Sequence, residues 1–358
     1  MTGFIYCAQA AINQFFARSI RCTHGLMLIT CALSLLAVLP SNARAFDFEY
    51  VEPSSDFHFE VKRYEGNPII HREMPGLDGK KGKNINGPSL IRAPKWLDDP
   101  LGKYYLYFAH HSGKHIRLAY ADSLGGPWKI HKGGVLPINK AAVSGHIASP
   151  DVHVDHQQQR IRMYFHGPAD NGSGQKSFVA ASKDGLNFKA KDEILGEFYM
   201  RVIEHDGWYY ALAKNGNNGG LLYRSKDPFT GFEKGPRILP RVRHMALWKH
   251  DDMLYVFFSR GKDKPERIMV SRVENLDDDW RDWKFTKPQT VLKPEKDYEG
   301  ANKPVRRSGF GSAKGFVHQL RDPAIYVEDD RLYLLYCAAG ESSIAIAHLN
   351  FVEQSDGN

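Results

Sequence analysis

Tyr104-Tyr105-Leu106-Tyr107-Phe108 is the stretch that decides the fold, because its pattern returns four more times along the chain. Ile161-Arg162-Met163-Tyr164-Phe165, Tyr209-Tyr210-Ala211-Leu212-Ala213, Leu254-Tyr255-Val256-Phe257-Phe258 and Leu332-Tyr333-Leu334-Leu335-Tyr336 share its mixture of aromatic and aliphatic side chains. Such a run, with no polar alternation, suits a strand buried on both faces of its sheet. Aligned on their second residues, the five copies stand 57, 48, 45 and 78 residues apart. A four-stranded unit recurring every 40 to 50 residues or so marks a propeller blade. The chain is therefore read as all-β, a five-bladed β-propeller, with each copy as the third strand of its blade.

Working outward, each copy is preceded by a short strand and a polar turn, as at His205-Asp206-Gly207, His250-Asp251-Asp252 and Glu328-Asp329-Asp330. Each is followed by a strand with small residues, such as Phe178-Val179-Ala180-Ala181-Ser182 or Ile344-Ala345-Ile346-Ala347, which lets neighbouring blades approach closely. Trp128, Phe188, Phe232 and Trp283 mark outer strands in blades one to four, but nothing comparable follows His348. The N-terminal stretch Phe57-His58-Phe59-Glu60-Val61 is the natural donor. Pairing it with the last blade would close the ring and cover sheet edges that otherwise invite aggregation. Helix is scarcely indicated.

The first 45 residues differ in kind. They contain no Asp or Glu, carry Arg18 and Arg21, and run almost wholly apolar from Leu26 to Leu39 before Ala43-Arg44-Ala45. This reads as a signal peptide cut after Ala45, with 46–358 as one exported propeller domain, secreted or periplasmic and free of the membrane; a retained anchor is the alternative. Cys7, Cys22 and Cys31 lie in that segment, so Cys337 stands alone in the mature part and no internal disulfide can form. Three of the formal +7 charges also belong to the segment, and the remaining +4 is too small to argue for nucleic acid.

The openings of the blades carry a resemblance. Gly66-Asn67-Pro68-Ile69-Ile70, Gly87-Pro88-Ser89-Leu90-Ile91, Ala119-Tyr120-Ala121-Asp122-Ser123-Leu124-Gly125-Gly126-Pro127-Trp128 and Ala148-Ser149-Pro150-Asp151-Val152-His153 resemble the five-bladed propeller glycosidases, glycoside hydrolase family 43 and its relatives in families 32, 62, 68, 117 and 130. The resemblance implies hydrolysis of a glycosidic bond, with a carbohydrate substrate in a funnel where the innermost strands converge. Such cleavage needs two carboxyl groups across the scissile bond, one of them protonated near neutral pH.

Candidates follow from these openings. Asp151 matches the position that in family 43 resembles the orienting, pKa-modulating aspartate, and Arg321-Asp322-Pro323 resembles the Arg-Asp-Pro motif of families 32 and 68. An aspartate beside proline at a strand start is equally ordinary turn or blade-bridging chemistry. The chain departs from family 43 where Asn86 replaces the base aspartate, and where the expected acid falls near Phe198 with Glu197 one place away. Histidines are the other candidates. His146, His153, His244 and His318 lie at or near first strands, and family 117 resembles a precedent for His244 as the acid. Arg201, Arg243 and Arg321 are expected to point inward and grip an acidic, uronate or sulfated sugar. The connection from Asp297 to Gln319, with Lys303, Arg306, Arg307 and Lys314, reads as a mobile basic rim, and Asn215-Gly216-Asn217-Asn218-Gly219-Gly220 as a polar hairpin loop near the funnel. No compact ligand spacing argues for a metal, and no cofactor is expected. Two further readings stay open: a non-catalytic carbohydrate-binding propeller, and a propeller-type glycoside phosphorylase or transferase.

Overall fold

A computed structural model describes residues 48–77 and 81–353. The expected signal peptide and cleavage site lie outside the described residues. The chain is nearly all β, with five sheets in a ring whose four-stranded blades are antiparallel. Counted from the axis outward, blade one holds Asn86–Arg92, Tyr104–Ala109, His115–Ala121 and Lys129–Ile130. Blade two holds Ala148–Asp155, Arg160–Pro168, Gln175–Ser182 and Lys189–Ala190, and blade three Arg201–His205, Trp208–Lys214, Gly220–Ser225 and Glu233–Ile238. Blade four holds Val242–His250, Met253–Arg260, Ile268–Val273 and Phe285–Thr286, and blade five Arg321–Glu328, Arg331–Ala338, Ser343–Glu353 and Phe57–Arg63.

The aromatic repeat is thus the second strand of each blade, not the third. Only one strand, joined to it by the polar turn, lies between it and the axis. Its burial on both faces has the expected cause: each second strand is flanked in its own sheet and covered by the adjoining blades. Tyr107 and Tyr164 are fully buried, and each satisfies its hydroxyl on the next blade, Tyr107 donating to the Gly185 carbonyl and Tyr164 to that of Pro228, both at 2.9 Å. Buried tyrosines need such partners, so the repeat both fills the inter-blade core and fixes one blade on the next.

The N-terminal segment contributes to two blades. Tyr50–Val51 pairs parallel with Phe285–Thr286 on blade four, and Phe57–Arg63 pairs antiparallel with the last strand, Phe57 opposite Glu353 and Arg63 opposite Ala347. Between them the buried Arg272 of blade four donates to Glu353 Oε1 at 2.7 Å and to the Ser55 carbonyl at 3.3 Å, with its guanidinium 4.6 Å from the Phe57 ring centre.

The starts of the innermost strands set up the site. Gly87, Ser149 and Asp322 each directly precede a proline, and each adopts a left-handed backbone, with φ of 60°, 52° and 45°. Tyr199, just ahead of the blade-three strand, has φ of 65°. Pairing registers shift beside these residues, between Asn86 and Ser89, opposite Tyr164 and His166, and between Arg321 and Ala324. Such bulges re-aim side chains, and strained non-glycine residues gather at functional mouths.

Candidate active site

Two cavities lie at opposite ends of the innermost strands. The first, of about 480 Å³, is lined by the strand starts and the loops above them: Asn86, Ser149, Arg243, His244 and Asp322, with His111, His146, His166, Gln175, Glu197, Phe198, Tyr199, Lys214, Gly216, Asn217 and Phe310. The second, of about 310 Å³, is lined by later residues of the same strands, including Asp151, His153, Arg201, Glu204 and Trp248.

Six of the sequence candidates therefore share the first cavity: Asn86, His146, Glu197, Arg243, His244 and Asp322. Asp151 and His153 open onto the other. Asp151 accepts hydrogen bonds from His153 Nε2 and from the Val202 N–H of the next blade, both at 2.9 Å. Burial works against its charge, but His153, Arg201 and that N–H hold its carboxyl below the usual aspartate range. In this it acts as the blade-bridging aspartate that the sequence left open. The position facing the first cavity is Ser149, two residues earlier, which the proline and bulge turn inward. His318 donates from Nδ1 to the Lys303 carbonyl at 3.1 Å, and does not line the first cavity.

Asp322 is the centre of the site. It is buried, and its Oδ1 accepts a 3.0 Å hydrogen bond from the Tyr199 hydroxyl with His244 Nε2 3.5 Å away. Its Oδ2 is buried with no hydrogen-bond partner among the described residues. Burial first, and the charge of Glu341 second, push its carboxyl up to about 6 from an ordinary 3.8. Glu341 goes the other way. Burial opposes its ionisation, but His111, Arg321 and Asn84 hold it down at about 2. Two buried carboxyls are thereby driven apart, the arrangement that separates acid from permanent anion.

The three inward arginines are held largely within the protein, although Nη2 of Arg201 is buried without a partner among the described residues. Arg201 donates to the carbonyls of Met245, Ser149 and Met200, at 3.1, 3.2 and 3.1 Å. Arg321 pairs with Glu341 at 2.8 Å and Glu266 at 3.2 Å, and donates to Gln319 Oε1 at 2.6 Å. Arg243 pairs with Glu266 at 3.5 Å and donates to the carbonyls of Gly309 and Gly311. That last contact ties the connection read as a basic rim to the body of the propeller. The Asp297–Gln319 connection is strapped down, by Arg243 in its middle and by buried Glu299, which accepts from Arg63 and Tyr336 at 2.8 Å each. Phe310 is held against the cavity as a result, while Lys303, Arg306, Arg307 and Lys314 remain exposed.

The sequence reading missed much of the wall. Stacked and edge contacts run from His111 to His146, His166, Tyr199 and His244, with ring centres 6.3, 6.0, 6.0 and 5.2 Å apart in turn. Burial, then neighbouring positive groups, keep His166 and His244 neutral, their pKa values well below the ordinary 6.5. Lys214 ends the second strand of blade three, with its ammonium 4.8 Å from the Phe198 ring centre. Burial, then Arg243, lower it to about 8. Among the described residues no group of three or more His, Cys, Asp or Glu side chains is arranged to hold a metal ion.

Comparisons with known proteins place this architecture. The catalytic domain of the Coprinopsis cinerea family 62 α-L-arabinofuranosidase superposes with a TM-score of 0.55, at 11% identity over 83% of this chain and 98% of that one. A thermostable family 43 glycoside hydrolase gives 0.51, at 13% identity over 77% and 91%. These likenesses establish the five-bladed propeller fold of the glycosidases. No family model matches the sequence. Uncharacterized protein R118 of Acanthamoeba polyphaga mimivirus is 36% identical over 326 residues, covering 81% of this chain and 90% of its own. The chain therefore belongs to the family of R118, on the fold of the five-bladed propeller glycosidases.

Proposed function

We propose that the protein is an exported glycoside hydrolase whose chemistry takes place in the 480 Å³ cavity. The observation that carries this reading is the Asp322 carboxyl: buried at the cavity wall, pushed up to about 6, and with Oδ2 unpartnered. Such a group is largely protonated in mildly acidic solution and can hand its proton to a leaving glycosidic oxygen. His244, the acid suggested by sequence, is held neutral by burial, so its part is to steady Asp322 alongside Tyr199. Glu197 supplies the second carboxylate of the cavity, paired with Lys176 at 2.7 Å. The aromatic and imidazole wall offers flat faces and hydrogen-bonding edges of the kind that sugar rings pack on. The first 45 residues support export. Arg243 and Arg321 do not support an acidic substrate, since each is paired with carboxylates of the protein.

The test is reducing-sugar release from a panel of neutral, uronic and sulfated polysaccharides, with Asp322→Asn and Glu197→Gln run beside the wild type. Release abolished by Asp322→Asn and lowered at least a hundredfold by Glu197→Gln is the expected result, in line with about 10² to 10⁴ for a positioned proton-transfer group. One observation favours a second reading, a carbohydrate-binding propeller: Glu197 is already paired with Lys176. Binding of a polysaccharide without release, unchanged in both variants, would establish that alternative.

A further inference from the structure

Lys214 stands apart from Arg243, the other cation lining the cavity, and from Lys176 and Arg321 nearby. Lys176 is paired with Glu197, Arg243 with Glu266, and Arg321 with Glu341 and Glu266. Lys214 has no such carboxylate partner among the described residues, yet it is only 7% exposed and lines the cavity. A buried ammonium without a counter-ion is costly, and a fold retains one mainly where a ligand completes it. Its surroundings point the same way. The Phe198 ring lies 4.8 Å from the ammonium and 5.6 Å from the His166 ring. His166, also 7% exposed, has Nδ1 buried with no protein partner. Two nitrogens able to donate thus flank one aromatic ring in the cavity wall, with no acceptor for them among the described residues.

We infer that Lys214, assisted by His166, is the residue that recognises one anionic substituent, a carboxylate or a sulfate ester, on the sugar bound in the cavity. This rests on the glycosidase reading for the sugar but not for its cleavage. The arginines of the cavity floor are neutralised by Glu266 and Glu341, so the anion finds its charge partner at Lys214. A point-charge ammonium with rotatable donors accepts either oxyanion, and binding satisfies the His166 Nδ1–H tautomer as well.

The probe set is D-glucuronate, D-galacturonate and galactose 6-sulfate against neutral glucose and galactose, titrated into the purified protein and followed by ligand-observed NMR. The expected result is that at least one anionic sugar binds about tenfold to a hundredfold more tightly than its neutral counterpart, the range of one charge-assisted hydrogen bond. Which of the three does so separates carboxylate from sulfate. Lys214→Met, which keeps the apolar stem on Phe198, should abolish the preference and leave neutral-sugar binding in place. Lys214→Gln serves if that variant does not fold. Equal affinity for charged and neutral sugars, no binding of any anionic probe, or a preference that survives both substitutions would overturn the inference. Because binding is read without turnover, cleavage of neutral polysaccharides with no anionic preference defeats this inference and leaves the hydrolase reading intact. An anionic preference in a protein that cleaves nothing has the opposite meaning.

Discussion

Asp322→Asn should make the protein more stable near neutral pH while removing its activity. The folded-state pKa of Asp322 lies at about 6 against an ordinary 3.8, so the folded protein binds an extra proton between those values. Stability contributed by the protonated carboxyl is therefore fully present below about 3.8 and is lost as pH rises through about 6. A displacement of roughly two units corresponds to about 3 kcal/mol by which the ionised form is penalised at pH 8. Asparagine removes that penalty. It can still accept from Tyr199, and it tolerates the left-handed backbone better than most residues. Its amide brings two donors to the place where Oδ2 has no partner, at a cost of about 1 kcal/mol. The net gain should be about 1–2 kcal/mol at pH 8, a rise of a few degrees in Tm, fading to nothing or reversing below pH 4. Thermal and urea unfolding of both proteins across pH 3.5 to 8 measures it. A variant less stable than wild type at pH 8 by 1 kcal/mol or more would mean that the ionised carboxylate is stabilising, and the assignment of Asp322 as a proton donor would fall with it.

Glu341→Gln should cost about 1.5–3 kcal/mol by removing one of the two carboxylates paired with Arg321, Glu266 remaining at 3.2 Å, measurable by urea unfolding, and should move the alkaline limb of the activity profile to lower pH because Glu341 is one of the charges that raise Asp322. The stability that Glu341 itself contributes is present above its ordinary 4.5 and lost as pH falls through about 2. Gly87→Ala places a Cβ 2.9 Å from the Ser149 Cα at a φ of +60°, so Tm should fall by the equivalent of about 1–2 kcal/mol or more, and activity with it, since the clash falls on Ser149, which lines the cavity. Burial pushes the Cys337 thiol well above its ordinary pKa, so a thiol reagent should label it only after denaturation.

The fold was legible because its cause is local and repeated. Five second strands packed between blades each need aromatic and aliphatic residues at every position, and that lack of alternation is visible without any knowledge of contacts. The rank of each copy within its blade was less legible, because outer strands such as Lys129–Ile130 and Lys189–Ala190 are two residues long and offer little beyond a single aromatic to count from. The addition of Tyr50–Val51 to blade four was not legible either, since a two-residue parallel pairing leaves no periodic trace.

At the site, the misplacement of Asp151 has one physical origin. Alternation along a strand assigns residues 149 and 151 to the same side, but a left-handed residue ahead of proline breaks the alternation at that point. The openings Ser149-Pro150 and Asp322-Pro323 then obey one rule, that the left-handed residue before proline faces the 480 Å³ cavity, while at Gly87-Pro88 the preceding Asn86 does. Read with that rule, the sequence would have named Ser149 rather than Asp151 and kept Asp322. No such rule finds Lys214, His166 or Glu341. They come from second strands or from the turn after one, and only the ring's closure brings them to the axis. Their importance lies in what they lack or share across blades: Lys214 a carboxylate partner, His166 an acceptor for Nδ1, and Glu341 a charge that Asp322 must avoid. Charge balance among distant strands is a property of the assembled ring, so the division between floor charges that hold the structure and the few left free for chemistry appears only there.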